Sequence, residues 1–228
     1  MKLSLRMETV KNTVVPCETV CDVGCDHGFV SIALVKEGLS KRVIACDINK
    51  GPLAAATENI KAAGLSASIE TRLSDGLHKV DKEDNPDAIV IAGMGGALTV
   101  KILTEGRDVL KSVSQLVLQP QSELFLVRKW LRNEGYNITK ECFLYDAGKP
   151  YFVIDARPGK PTPHTDEENA FFDEFSEYLL KEKNSLYREY LKKGIENNES
   201  YIKGMPEEKR SELILKTELM KKALLMTE

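Results

Sequence analysis

Residues 19–28 have the sequence TVCDVGCDHG, and the architecture of the chain can be worked out from this segment. A short apolar run, Thr19 to Val23, leads into Gly24 and Gly28, and a periodic apolar segment, Phe29 to Gly38, begins at once. This order predicts a buried strand, a tight glycine turn and a helix. Such a turn between a strand and a helix is where α/β proteins bind nucleotide-like ligands.

The composition is that of a soluble globular protein, with 228 residues, 42% of them hydrophobic and 29% charged. No run approaches the roughly 20 apolar residues of a membrane span, and the first residues lack the pattern of a secretory signal. We therefore expect a cytoplasmic protein that does not cross a membrane.

Five cysteines, an odd number, favour free thiols in a reducing compartment. Cys17, Cys21 and Cys25 have a regular spacing, and Cys46 is nearby. However, Cys21 and Cys25 fall on a strand and its turn, and no second pair of ligands follows. We expect small buried side chains and no metal site.

The pattern of a strand followed by a helix repeats along the chain. Further strands are predicted at residues 42–47, 68–73, 87–92 and 115–118, and helical segments separate them. Two more strands, at 137–146 and 151–157, are joined by Ala147-Gly148-Lys149-Pro150, which predicts an antiparallel hairpin at one end of the sheet. The predicted fold class is α/β, a Rossmann-like sheet of seven strands as in class I methyltransferases.

Composition changes at a linker rich in proline and glycine, residues 157–163. Beyond it, apolar residues recur at three-four spacing, with one break at Gly204-Met205-Pro206, which predicts two helices in an antiparallel coiled-coil hairpin. We expect a ligand-binding catalytic domain at 1–160 and a helical domain at 161–228. The hairpin either grips a substrate or serves to cover the sheet or form a dimer.

Acidic and glycine residues cluster where the predicted strands end. The first strand supplies the amides of Gly24 to Gly28, the second Asp47, the third Asp75 and the fourth the loop Gly93 to Gly96. The sequence separation between Gly24 and Asp47 is about that between the glycine turn and the carboxylate that binds the ribose diol in dinucleotide-binding folds. Asp75 is placed to accept a hydrogen bond from an adenine amino group. These residues predict a ligand that contains adenosine.

Two such ligands are a nicotinamide dinucleotide and S-adenosylmethionine. The turn lacks the G-x-G-x-x-G pattern of dinucleotide sites, and Asp22 and Asp26 would repel a pyrophosphate. S-adenosylmethionine carries a sulfonium and an ammonium group, which acidic residues attract. The residues therefore favour S-adenosylmethionine.

Five motifs resemble the bacterial tRNA (adenine-22-N1)-methyltransferase family: DVGCDHG at 22–28, ACDIN at 45–49, LSDGL at 73–77, IAGMGG at 91–96 and LQPQ at 118–121. The resemblance spans nearly the whole chain. It implies methyl transfer from S-adenosylmethionine to N1 of an adenine in the D-arm region of tRNA. Within these motifs we assign cofactor binding to Asp22, Gly24, Asp26, His27, Gly28, Asp47, Ile48, Asn49, Ser74, Asp75, Gly76, Ala92, Gly93, Met94 and Gly95.

The loop after the fourth strand favours a ring nitrogen over an amino group as the methyl acceptor. It offers no side-chain acceptor for an amino group but leaves room for a flat base. Adenine N1 already has a lone pair and needs alignment, and the methylated base is a cation that a carboxylate would stabilise. We assign this role to Asp26, which could instead cap the next helix. His27 could orient Asp26, line the pocket or have a purely structural role. Gln121, where the family often has Asn, is the second catalytic candidate.

The net charge of −3 means that an RNA-binding surface must be a local patch. Three candidate patches, each of which can also be an ordinary solvated face, are Lys2, Arg6 and Lys11; Lys36, Lys41 and Arg42; and Arg128, Lys129 and Arg132. The expected partner is tRNA, and a monomer is favoured although the oligomeric state stays open. The alternatives are a methyltransferase for a small metabolite and a non-catalytic scaffold that binds S-adenosylmethionine.

Overall fold

Residues 3–228 are described by a computed structural model, in which the chain forms two compact units, up to Thr162 and from Pro163. The first unit contains a seven-stranded sheet. Its strands are β1 (Cys17–Val23), β2 (Ser40–Asp47), β3 (Ile69–Leu73), β4 (Ala88–Met94), β5 (Gln115–Pro120), β6 (Tyr136–Asp146) and β7 (Lys149–Pro158). Its helices are α1 (Leu5–Thr13), α2 (Phe29–Lys36), α3 (Lys50–Ala62), α4 (Gly96–Glu105), α5 (Arg107–Leu110) and α6 (Leu124–Asn133).

The strand order is β3-β2-β1-β4-β5-β7-β6. Strands β1 to β5 pair in parallel, and β7 runs antiparallel to both β5 and β6. The chain leaves β1 toward β2 but leaves β4 toward β5, so the direction of winding reverses between β1 and β4. In open α/β sheets a crevice forms at the carboxyl ends of the strands at such a reversal. The predicted fold class is confirmed.

Alternating strand residues build a separate apolar core on each face of the sheet. On one face Cys21 and Ile89 pack in a cluster with Leu103 of α4, and on the other Val20 packs in a cluster with Leu34 of α2. Both faces are covered because the crossovers on the two sides of the reversal place their helices on opposite faces. Each fully buried side chain of this size stabilises the fold by about 1.5–3 kcal/mol.

The second unit is helical and contains α7 (Asp166–Glu174), α8 (Glu177–Lys181), α9 (Ser185–Gly204) and α10 (Ser211–Leu225). Helices α9 and α10 run antiparallel. Near one end Arg188 pairs with Glu228 at 3.1 Å, and further along Lys221 pairs with Glu199 at 3.0 Å. This is the predicted helical hairpin. Nothing among the described helices, in residues 3–228, is both long and apolar enough to span a membrane.

Two details differ from the sequence prediction. Only Ala147 and Gly148 connect β6 and β7, both with positive φ (48° and 78°), because this backbone matches the twist of a tight hairpin. The C-terminal region has four α-helices where two helices were expected. Ser176 and Asn184 each accept a hydrogen bond from a backbone N–H three residues later and so begin new helices.

Candidate active site

A crevice of about 460 Å³ lies at the carboxyl ends of β1 to β4. It brings together most of the predicted site residues, namely Asp22, Gly24, Asp26, His27, Asp47, Ile48, Asn49, Ser74, Asp75, Gly76, Ala92, Gly93, Met94 and Gln121. Gly28 and Gly95 are absent from its lining. Gly28 precedes α2 and faces Ala56, and Gly95 precedes α4 and faces Ser122, so both shape the loops behind the crevice.

The turn after β1 is held by its own backbone. The amides of Gly24 and Cys25 donate to the carbonyl of Cys46 at 2.8 and 2.9 Å, and the amide of Gly28 donates to the carbonyl of Cys25 at 2.7 Å. These three amides are already paired with the carbonyls of Cys46 and Cys25, so they are not free to donate to a ligand in the way the sequence predicts. Gly24 has φ +74°, and a Cβ there would collide with Met94 Cε.

Asp22 provides a buried carboxylate in the crevice, with only 4% of the residue exposed. Its Oδ2 accepts a hydrogen bond of 2.6 Å from the hydroxyl of Ser31. Burial raises the pKa of Asp22 to about 6, although the hydrogen bonds from Ser31 lower it, and the nearby charge of Asp47 raises it further. A desolvated carboxylate with this environment favours a cationic ligand.

Asp47 ends β2 with a buried carboxylate whose orientation is fixed. Its Oδ1 accepts from the amide of Asn49 at 2.8 Å, and its Oδ2 accepts from the amide of Asp26 at 3.2 Å. Each carboxylate oxygen has a further lone pair. Because the second bond joins β2 to the turn after β1, Asp47 both shapes that turn and can accept from a ligand.

The end of β3 places Asp75 at the crevice. The backbone amide of Ser74 donates to the carbonyl of Asp47 at 2.9 Å, and the Ser74 hydroxyl donates to the carbonyl of Gly76 at 2.9 Å. These bonds hold a tight loop in which Asp75 is exposed. Asp75 and the exposed Ile48 both line the crevice, so the Asp75 carboxylate is accessible to a ligand there.

Strand β4 extends to Met94, two residues beyond the predicted end, and its pairing with β5 shifts register between Ala92 and Met94. Gly93 in this irregular segment has φ +80°, which favours glycine. The carbonyl of Met94 accepts from the amide of Gln121 at 2.8 Å. Gly96 packs against the backbone of Glu123, where a Cβ would not fit. The glycines therefore let this loop lie close to the segment after β5.

Asp26 and His27 are exposed beside each other at the crevice, with Oδ1 of Asp26 3.7 Å from Nε2 of His27. The His27 ring stacks on Phe29, with ring centroids 5.4 Å apart. The interpretation of Asp26 as a helix cap is wrong, because Gly28 is the N-cap of α2 and no side chain caps that helix. Asp26 instead has φ 49°, and its side chain is 60% exposed.

Several lining residues were not predicted. Arg6, Met7 and Val10 come from α1, and Leu98 and Ile102 come from α4. Arg6 was assigned to a surface patch, yet its Nη1 donates to Oε1 of Gln119 at 2.7 Å. Its position before the first strand gives no sign that it lines the crevice, and only the packing of α1 on the sheet places it there.

Several residues of the expected basic patches are paired with carboxylates, and two of these are buried. Lys11 is buried and pairs with Glu8 and Glu37, and Arg128 is buried against Glu141 at 2.6 Å, so neither lies on a solvated face. Arg42 pairs with Glu70 and Asp84, and Lys41 pairs with Glu18. Lys36 and Lys129 are exposed, Arg132 is partly exposed, and Lys2 lies outside the described residues.

The cysteines are free thiols within the described chain. Cys21 and Cys46 pack in the core on one face of the sheet, and Cys25 packs in the core on the other. Burial raises the pKa of Cys25 well above its usual range. Residues 3–228 contain no cluster of three or more His, Cys, Asp or Glu side chains able to hold a metal ion.

A carboxylate-lined crevice at the reversal of a parallel sheet, with an antiparallel strand pair at one end of that sheet, defines a class I methyltransferase. The model of the TrmK family, described as tRNA (adenine(22)-N(1))-methyltransferase, matches residues 20–224. The chain belongs to this family, and the resemblance found in its sequence motifs is confirmed.

Relatives and solved structures agree with this assignment. The tRNA (adenine(22)-N(1))-methyltransferase of Bacillus subtilis is 34% identical over 195 residues, which are 82% of this chain and 79% of the relative. A Streptococcus pneumoniae protein solved with S-adenosyl-L-methionine is 33% identical, with a TM-score of 0.88 over 98% of this chain and 100% of that one. The M. capricolum TrmK solved with S-adenosyl-homocysteine is 28% identical, with a TM-score of 0.89 over 100% of both chains.

Proposed function

We propose that the crevice binds S-adenosylmethionine and that the enzyme methylates N1 of adenine 22 in tRNA. The observation that carries the proposal is the charge of the crevice. Its lining includes the carboxylates of Asp22, Asp26, Asp47 and Asp75 and, among the described residues, the one cationic side chain of Arg6. This excess of negative charge suits a ligand with a sulfonium and an ammonium group and opposes a pyrophosphate.

Each strand end has a distinct role toward the cofactor in this proposal. Asp22 attracts the positive charge, since its carboxylate is desolvated and has the Ser31 hydroxyl as donor. Asp47 accepts from the ribose hydroxyls through the lone pairs that its two backbone donors leave free. Asp75 accepts from the adenine amino group. When bound, S-adenosylmethionine supplies a methyl group on a positively charged sulfur.

The acceptor base lies against the β4 loop in this proposal. Gly93 has no side chain there, and Met94 and Gln121 line the space around it. The base must leave its stack, which costs a few kcal/mol. The enzyme then needs to align N1 with the methyl group and to stabilise the cation that forms. Asp26 supplies the carboxylate for that cation, and His27 lies beside it.

Residues 3–162 form the catalytic unit in this proposal, and the helical hairpin of residues 163–228 contacts the tRNA. Lys193 and Lys203 on α9 are exposed and, within residues 3–228, neither forms an ion pair, so both are available to phosphates. The alternative use of the hairpin as a dimer interface predicts a dimer in solution. A tRNA substrate places the enzyme in the cytoplasm.

The decisive test uses the purified protein, S-adenosylmethionine with a labelled methyl group, and an unmodified tRNA transcript that has adenine at position 22. Digestion to nucleosides should yield 1-methyladenosine, and a transcript with guanine at position 22 should yield none. The absence of product with every tRNA that carries adenine 22 would refute the proposal. Methylation of small metabolites but not of RNA would support the small-substrate alternative, and binding without turnover would support a scaffold.

A further inference from the structure

We propose that the Arg6 guanidinium binds the target nucleotide in the crevice. Gln119 holds the guanidinium in place, and Gln121 binds the same nucleotide beside it. The inference rests on the proposed function, because it assigns residues to the methyl acceptor of that same site. It concerns the side of the crevice formed by α1 and the β4 loop. The carboxylates of Asp22, Asp47 and Asp75, proposed to bind the cofactor, belong to the ends of β1, β2 and β3.

Gln119 is completely buried on β5 and links Arg6 to the β4 loop. Its Oε1 accepts from Nη1 of Arg6 at 2.7 Å and from the backbone amide of Gly93 at 3.2 Å. One oxygen atom therefore fixes a guanidinium from the first helix against the backbone of β4. A buried oxygen that accepts two hydrogen bonds is typical of a preorganised site.

The guanidinium has one hydrogen-bond partner among the side chains of the described residues, so most of its donors remain for a ligand. The Arg6 side chain lies over the ring of Tyr151, with Cζ 5.5 Å from the ring centroid, and the Arg6 backbone amide donates to Asp146 at 3.2 Å. Within residues 3–228 no carboxylate forms an ion pair with the Arg6 guanidinium. A guanidinium has five N–H donors, so an anchor made by one neutral amide leaves several for a ligand.

Arg6 and Gln121 approach the same point above Gly93. A Cβ on Gly93 would lie 3.6 Å from Nη1 of Arg6 and 3.7 Å from Nε2 of Gln121. The absence of a side chain at Gly93 leaves this space to a ligand, and two hydrogen-bonding groups from different elements flank it. The geometry matches a flat base with acceptors on its edge.

Adenine fits these groups while its N1 stays free. A carboxamide pairs with the 6-amino group and N7 of adenine, an edge that does not include N1, and guanine lacks this amino group. Arg6 then donates to a remaining acceptor of the nucleotide, either a ring nitrogen or a phosphate oxygen.

The test compares Arg6→Ala, Arg6→Lys and Gln119→Glu with the wild type on the tRNA transcript at saturating S-adenosylmethionine. Arg6→Ala should lower kcat/KM by about 10- to 100-fold, the usual effect of losing a charged hydrogen bond. Arg6→Lys should retain part of the activity. Gln119→Glu should lower kcat/KM because its carboxylate neutralises Arg6 in place. The dissociation constant of S-adenosylhomocysteine should stay within about twofold in all three, and Lys61→Ala on the exposed face of α3 should match the wild type.

Two further measurements distinguish the atoms that Arg6 contacts. If Arg6 binds a phosphate, the salt dependence of tRNA binding should lose about one phosphate contact in Arg6→Ala. If it binds N3, the ring acceptor that neither the carboxamide nor the methyl group uses, 3-deazaadenine at position 22 should impair the wild type and should not impair Arg6→Ala further. The inference would be overturned if the salt dependence of tRNA binding is the same in Arg6→Ala as in the wild type and if the losses of activity caused by Arg6→Ala and by the base analogue are fully additive.

The failure of the inference is distinct from that of the proposed function. A wild-type enzyme that forms no 1-methyladenosine would refute the function. An active wild type whose Arg6→Ala and Gln119→Glu variants keep kcat/KM within about twofold would overturn the role of Arg6 alone. Equal losses of tRNA activity and of S-adenosylhomocysteine affinity would show a merely structural role and also overturn it. If circular dichroism shows that Arg6→Ala is unfolded, Arg6→Lys and Gln119→Glu decide the question.

Discussion

The hydroxyl of Ser31 donates a 2.6 Å hydrogen bond to Oδ2 of Asp22, and both residues are buried. The bond joins the first turn of α2 to β1 directly behind the cofactor crevice. Burial nevertheless raises the pKa of Asp22 to about 6, which is above the ordinary value of an aspartate. The carboxyl group thus gains or loses its proton in a range that affects both ligand binding and stability.

Cofactor affinity should fall as the pH is lowered through the pKa of Asp22. A cationic ligand favours the carboxylate, so binding at low pH requires the loss of a proton from this group. With a pKa of about 6 in the free enzyme, the dissociation constant of S-adenosylmethionine should rise by roughly tenfold between about pH 7.5 and pH 5. Isothermal titration calorimetry at several pH values measures this, and Asp22→Asn should bind weakly with little pH dependence. A wild-type constant that does not change over this range would contradict the prediction.

The stability of the unliganded enzyme should change in the opposite sense. Because the folded pKa of Asp22 is raised from 3.8 to about 6, its contribution to folding is present in full below about pH 4 and is lost as the pH rises through 6. Asp22→Asn, which keeps the shape and an acceptor for Ser31, should therefore be more stable than the wild type at pH 7.5, by about 3 kcal/mol. Urea unfolding at pH 7.5 and pH 4 measures the difference, which should shrink at the lower pH.

Gly24 and Gly38 offer a matched pair of backbone substitutions. Both have positive φ, +74° and +71°, but a Cβ at Gly24 would collide with Met94, whereas nothing lies within 4 Å of one at Gly38. Gly38→Ala should cost only the backbone strain, about 1 kcal/mol, and leave cofactor affinity unchanged. Gly24→Ala should cost more and should weaken cofactor binding severalfold, because Met94 must move within the crevice. Unfolding and binding titrations of both variants test this, and equal effects at the two positions would contradict it.

The order of the elements and the residues at the strand ends could be predicted from the sequence because they depend on local patterns. The run that ends at Val23 and the carboxylate that ends β2 at Asp47 follow from hydrophobic runs and turn residues. Arg6 could not be assigned in this way, because its contact with Gln119 spans 113 positions of the chain. Arg128 has the helical position of a solvated residue, yet it is buried against Glu141 and the ring of Phe152, both on other elements.

The helical unit shows a second limit of periodicity. Leu179 and Leu191 fit one apolar stripe, yet they belong to α8 and α9. The chain breaks between them at Lys183, which has φ 49°, and restarts at the cap residue Asn184. The spacing of apolar residues carries no information about one residue with left-handed backbone, so the break between α8 and α9 could not be predicted from that spacing.

Asp47 should be required for the ribose of the cofactor. Asp47→Ala removes both acceptor oxygens and the bond that its Oδ2 forms with the amide of Asp26. We expect S-adenosylhomocysteine to bind about 10- to 100-fold more weakly, because hydrogen bonds to a charged group are lost. A 2′-deoxy or 3′-deoxy analogue of S-adenosylhomocysteine separates the two effects. The wild type should bind it more weakly than the parent compound, and Asp47→Ala should not distinguish the two.

The lysines of α9 and α10 allow a matched test of tRNA binding by the hairpin. Lys193 and Lys203 are exposed and without ion pairs in the described chain, whereas Lys192 contacts Glu189 at 3.7 Å and Lys221 contacts Glu199 at 3.0 Å. Lysines free of carboxylates release more counterions on contact with phosphates. The double variant Lys193→Ala/Lys203→Ala should therefore bind tRNA severalfold more weakly, with a shallower salt dependence. Lys192→Ala/Lys221→Ala, with the same change in net charge, should have a smaller effect. Equal affinities for both double variants and the wild type, together with a dimer in analytical ultracentrifugation, would instead assign the hairpin to self-association.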